Sequence, residues 1–84
     1  MAEKVFFLYG DLKVEVAEPV LTGAQIKSAI VASGGSFTEG HDLILEGHGN
    51  DQDQPIGDTT PVDLRHGHGE GPKHFHSRPP TNFG

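Results

Sequence analysis

Eighty-four residues, a formal charge of −6, 33% hydrophobic residues and no cysteine set the outer limits of what this chain can be. A chain this short buries only about 60% of its unfolded surface, so it has room for one small core and a second domain is excluded. Without a thiol there is no disulfide frame, no thiolate metal site and no cysteine nucleophile.

The charge is unevenly spread. Residues 1–64 set eleven acids against Lys4, Lys13 and Lys27, net −8, while residues 65–84 set Arg65, Lys73 and Arg78 against Glu70 alone, net +2. An acidic body repels phosphate backbones and anionic lipid, so neither nucleic acid nor a membrane is the expected partner, and basic protein surfaces are better ones. The sequence shows neither a basic-then-apolar leader nor an apolar run of membrane length, so the expectation is a soluble, unexported protein with the cytoplasm as its default place.

The first predicted element is Val5-Phe6-Phe7-Leu8-Tyr9, dense in β-branched and aromatic residues. Gly10-Asp11 punctuates it, and Leu12-Lys13-Val14-Glu15-Val16 follows with apolar and charged residues alternating, which predicts a β-hairpin whose second strand is covered on one side. The first strand is apolar on both faces. Either Val5, Phe7 and Tyr9 or Phe6 and Leu8 is then surplus, open as a recognition patch or covered by the loop 47–58.

A helix start comes next. Thr22 is a good N-cap, Gln25 three positions on completes a capping box, and Leu21 before the cap pairs with Ile26 as a hydrophobic staple. Ile26, Ala29, Ile30 and Ser33 recur at helical spacing until Gly34-Gly35 supplies a left-handed stop. Asp42-Leu43-Ile44-Leu45-Glu46 predicts a short apolar strand, and the glycine- and acid-rich stretch 47–58 a loop without core residues. Its Asp51, Asp53 and Asp58 lack the glycine and closing glutamate of a calcium loop and read as solvated charge. Pro61-Val62-Asp63-Leu64 predicts a brief strand or turn, Gly67 to Pro72 a hairpin loop, and Lys73-His74-Phe75-His76-Ser77 a last strand with Phe75 inward and the histidines outward.

The order is ββαββ, an α+β fold with one helix packed on a mixed sheet. The economical solution is a β-grasp, in which a right-handed crossover through the helix returns the third strand beside the first. A ferredoxin-like fold needs a second helix, and none is signalled. The body spans residues 1–77, and residues 78–84 form a tail, Arg78-Pro79-Pro80-Thr81-Asn82-Phe83-Gly84, that two prolines bias towards an extended shape projecting from the body. A terminal glycine carries no Cβ, so the Gly84 carboxylate can enter a narrow cleft and be activated as an acyl group.

With Leu21-Thr22-Gly23 opening the helix, Asp42-Leu43-Ile44-Leu45-Glu46 as a strand, Pro61-Val62-Asp63-Leu64, and His74-Phe75-His76-Ser77-Arg78-Pro79-Pro80 before the end, the chain resembles the bacterial ubiquitin-like proteins of conjugation operons, related to the multi-ubiquitin-domain group. The resemblance implies a ubiquitin-like β-grasp modifier, not an enzyme and without a cofactor. In that family an E1-like enzyme adenylates the C-terminal glycine carboxylate, an E2-like enzyme receives it, and it is joined to an amine on a target protein. Gly84 inherits the conjugation role, Arg78, Pro79, Pro80 and Phe83 the recognition of the tail, and a peptidase for processing or deconjugation completes the set of partners. Phe83 stands where such tails usually carry a second glycine, so a cognate enzyme needs a pocket for its ring. Lys4, Lys13, Lys27 and Lys73 are candidate acceptors for a second copy, although any one lysine is more simply a solvated charge.

His66-Gly67-His68 and His74-Phe75-His76 are two His-x-His pairs, and facing pairs on a hairpin can chelate zinc or nickel; polar loop and outer-face residues are the simpler reading. The alternative to a conjugated modifier is therefore a non-conjugated β-grasp protein-binding module, with these histidines as its candidate metal ligands and its tail as a linear ligand.

Overall fold

The computed structural model describes residues 5–47, 52–65 and 71–79. Its elements in chain order are β1 (Val5–Tyr9), β2 (Leu12–Val16), β3 (Val20–Thr22), α1 (Gly23–Ala32), β4 (Asp42–Leu45), β5 (Gln54–Ile56), β6 (Pro61–Asp63) and β7 (His74–Arg78). Five strands form one mixed sheet in the order β2-β1-β7-β4-β5, and β3 and β6 form a separate two-stranded sheet. One helix packs on the mixed sheet, so the fold is α+β.

The hairpin forms as its residues predict. β1 and β2 pair antiparallel from Val5↔Val16 to Tyr9↔Leu12, leaving a two-residue loop. Gly10 takes φ 60° and Asp11 keeps a negative φ, the pattern of a turn that needs glycine at its first central position and matches the strand twist.

The helix is capped at both ends by local chemistry. The Gln25 N–H donates to Thr22 Oγ1 (3.4 Å) and the Thr22 N–H to Gln25 Oε1 (2.9 Å), which closes the capping box. The two remaining free N–H groups of the first turn have partners too: Gly23 donates to the Thr60 carbonyl and Ala24 to the Asp58 carbonyl, both 3.1 Å. A long-range loop thus finishes what the cap begins. At the other end Gly34 adopts φ 95°, and the Gly35 N–H reaches back to the Ile30 carbonyl (2.9 Å) while Gly34 reaches Val31 (3.1 Å), a Schellman closure.

The core lies between the helix and one sheet face. Phe7, Val14, Ile26, Ile30, Leu43, Leu64 and Phe75 are fully buried, with Leu21, Ile56 and Val62 nearly so. Phe7 and Phe75 meet edge to face, ring centroids 5.2 Å apart at 77°, an arrangement that adds to their area burial. Val5, Tyr9, Leu12, Val16, Ala29, Phe37 and Leu45 pack around this cluster. The surplus in the first strand is thereby resolved: Val5, Phe7 and Tyr9 face the helix, and Phe6 and Leu8 take the opposite face, each half-buried.

Four expectations need correction. The strand beside β1 on its free side is the last one, β7, in parallel pairing (Leu8↔His74, Tyr9↔Phe75), and β4 lies beyond it. Returning the chain after the helix directly to β1 would leave Phe75 without a central place, whereas inserting β7 puts that ring against Phe7. The stretch 47–58 does hold core: it contains β5, whose Ile56 is buried opposite Leu43. Val20–Thr22 is a strand of its own. Finally, β6 and β7 do not form a hairpin, because β6 pairs with β3 from Val20↔Asp63 to Thr22↔Pro61.

Candidate functional site

The sheet face away from the helix and the strand that leads into the tail carry the candidate site. Side chains alternate along each strand, so the register places Phe6 and Leu8 from β1, Lys13 and Glu15 from β2, His74 and His76 from β7, Ile44 from β4 and Pro55 from β5 on this outer face. Ile44 is fully buried although it is no part of the core cluster, so an apolar spot exists on the outer side of the sheet. Phe6 and Leu8 are half-buried, and the Lys13 ammonium sits 4.6 Å from the Phe6 ring centroid, a cation–π contact.

β7 is flanked on both sides, parallel to β1 and antiparallel to β4. Backbone bonds hold it from each neighbour: Leu8 N–H to the Lys73 carbonyl (2.9 Å), Gly10 N–H to the Phe75 carbonyl (3.2 Å) and Glu46 N–H to the His74 carbonyl (2.8 Å). The strand runs on to Arg78, opposite Asp42, so Arg78 belongs to the sheet; Arg78 and Pro79 are both exposed. Pro80, Phe83 and Gly84 lie outside the described residues.

The histidines divide. Phe75 points inward and is fully buried, His74 is exposed, and His76 Nδ1 lies 3.1 Å from Glu46 Oε2 on the outer face. His66 and His68 lie outside the described residues. The hairpin that was to set one pair against the other is not formed, since β6 pairs with β3. Among the described residues no three histidine or carboxylate side chains stand together as a metal site.

The lysines differ in what holds them. Lys27 Nζ is 2.8 Å from Asp58 Oδ1 and 5.2 Å from the Phe37 ring centroid, with its side chain only 29% exposed, so its amine is engaged. Lys13 is exposed, Lys73 half-buried, and Lys4 lies outside the described residues. Asp53 is used locally, its Oδ1 accepting from the Gly47 N–H (2.9 Å), while Asp51 lies outside the described residues. At the end of β6, Asp63 is gripped by Arg65 through Nη2–Oδ2 (2.7 Å) and Nε–Oδ1 (3.0 Å) and by the Arg65 backbone N–H (3.0 Å). The guanidinium hydrogen bonds, then the backbone one, pull the Asp63 carboxyl from its ordinary 3.8 down to about 2.

Sequence reasoning missed one feature. A cleft of about 480 Å³ lies at the start of β4, lined by Lys27, Phe37, Glu39, His41, Asp42 and Asp58 among others. His41 Nδ1 is buried there without a hydrogen-bond partner among the described residues. The cleft depends on long-range packing of the loops around β4 and β5, so no local pattern signals it. No described helix is long and apolar enough to cross a membrane. Compared with known proteins, the chain matches no family model, no curated protein and no solved structure.

Proposed function

We propose that this chain is a ubiquitin-like protein modifier with a β-grasp fold, conjugated through the carboxylate of Gly84. One observation carries the reading: the last strand of the body is the central strand of the sheet, and it hands the chain to an exposed Arg78-Pro79 with no intervening turn. A tail rooted in a central strand has a fixed origin and direction, and proline restricts its first steps. Docking of the body then raises the effective concentration of the end group at a partner's cleft.

The β2-β1-β7-β4-β5 order, with the N-terminal hairpin and the C-terminal strand side by side and one helix across them, supports the β-grasp reading. The outer face with half-buried Phe6 and Leu8 is the docking surface for the E1-like and E2-like enzymes in this proposal. Arg78, Pro79, Pro80 and Phe83 are the tail segment those enzymes read, and a peptidase would expose or release the same end. In the chemistry, a Gly84 carboxylate oxygen attacks the α-phosphorus of ATP and expels pyrophosphate. A nucleophile on the partner displaces AMP, and a target amine displaces that nucleophile to leave an amide. The chain supplies the acyl group and no catalytic residue. Lys13 and Lys73 are better candidates than Lys27 for carrying a second copy, because Lys27 is bound to Asp58.

The test is incubation with the cognate E1-like enzyme, ATP and magnesium, read by intact-mass spectrometry. The native end should give an adenylate or an acyl-enzyme, and deletion of Gly84 should abolish it. No adduct from the native end, or equal adducts after the deletion, rejects the modifier and leaves a binding module whose tail acts as a linear ligand.

A further inference from the structure

We infer that β2 is a self-pairing edge: two copies of this chain join antiparallel along β2, in one register set by Lys13 and Glu15. Among the described residues no strand pairs with the far side of β2, which ends the five-stranded sheet. The opposite edge is a poor template. β5 has three residues with Pro55 at its middle, and proline lacks the N–H a new partner would need.

The backbone bonds of β1 decide which groups of β2 face outward. The N–H groups of Leu8 and Gly10 point to β7, so those of Val5, Phe7 and Tyr9 point to β2. Their register partners Val16, Val14 and Leu12 spend their own N–H and C=O groups on β1. Lys13 and Glu15 are left with their N–H and C=O directed out of the sheet. An antiparallel partner must bond to those two residues.

A second β2 does so with a twofold axis at Val14. Lys13 then stands opposite Glu15 of the second copy and Glu15 opposite its Lys13, both as hydrogen-bonded pairs with Cα atoms about 5.5 Å apart. The charged side chains share the outer face as two opposite-charge pairs. On the helix side Val14 meets Val14, and Leu12, half-buried at the rim of the core, meets Val16. Shifting the register by two residues either way sets Lys13 against Lys13 or Glu15 against Glu15, and in-register parallel pairing sets like charges side by side. Like charges directly opposite are unfavourable, so the short pattern Lys-Val-Glu admits one arrangement. The net charge of −6 on each copy opposes association, but at ~0.15 M salt it is screened beyond about 8 Å, while the facing pairs lie inside that length.

An edge of five residues buries little area, so the dimer is weak and reversible, with a dissociation constant of about 1 mM or tighter. The measurement is sedimentation and NMR diffusion of the full chain from about 20 µM to 2 mM at neutral pH and that ionic strength. Lys13→Glu and Glu15→Lys should each weaken dimerisation by about tenfold or more, since both facing pairs become like-charged. An equimolar mixture of the two variants should dimerise again, because each supplies the charges the other lacks. Both positions are exposed, and far-UV circular dichroism unchanged in each variant confirms that folding is intact. A chain that stays monomeric to 2 mM overturns self-pairing. Single variants that dimerise like the parent, or a mixture that does not recover, overturn the register.

Discussion

Asp63 shows how much a single residue can gain from its neighbour. Its folded value of about 2 lies below the ordinary 3.8, so its ionised form favours the folded state: the contribution is present above about pH 4 and is lost as pH falls through about 2. Asp63 and Arg65 are solvent-exposed, so the energetic effect is small and screened by salt, and the titration itself is the better readout. A carboxyl-carbon NMR titration should place Asp63 near 2, and Arg65→Ala should return it to the ordinary carboxylate range. The helix start teaches the same lesson about reach. Thr22 and Gln25 announce their capping box in the sequence because its partners are three residues apart. Gly23 does not announce its role: a Cβ there would collide with the Gly57 carbonyl, a neighbour brought close only by the fold.

At the scale of elements, β7 is where packing and the proposed function meet. Phe75 is fully buried against Phe7, and truncating such a ring costs about 3–5 kcal/mol. A domain of this size has roughly 4–12 kcal/mol in all. Phe75→Ala should therefore cut the urea midpoint by about a quarter or more or leave no cooperative transition, while Phe6→Ala on the half-buried outer face should cost clearly less. Density of β-branched and aromatic residues made β1 legible, alternation made β2 and β7 legible, and capping plus helical spacing made α1 legible. β3 and β5 were not, because three residues with one buried side chain each carry no period of their own. Their strand state comes from the partner, β6 for one and β4 for the other.

For the molecule as a whole, the decisive fact is that the first and last strands of the body pair in parallel at the middle of the sheet. The chain must close a loop from Leu8 to His74 before the central pairing exists, which favours slow folding for its size. Ending the chain after Lys73 should abolish cooperative unfolding, because the central strand is gone. Ending it after Pro79 should leave the thermal midpoint within a degree or two, since no described core residue lies beyond Phe75. The pair of truncations, followed by circular dichroism, separates the body from its tail. What the residues settled unaided was whatever depends on neighbours within a few positions: the hairpin and its glycine turn, both helix caps, the inward Phe75 and the acidic charge of the body. Strand order, the β3–β6 pairing, the core place of Ile56 and the place of β2 at the end of the described sheet were decided only in three dimensions. Each of these is a choice among distant partners of similar local character, made by which arrangement buries the two central phenylalanines and satisfies the backbone together.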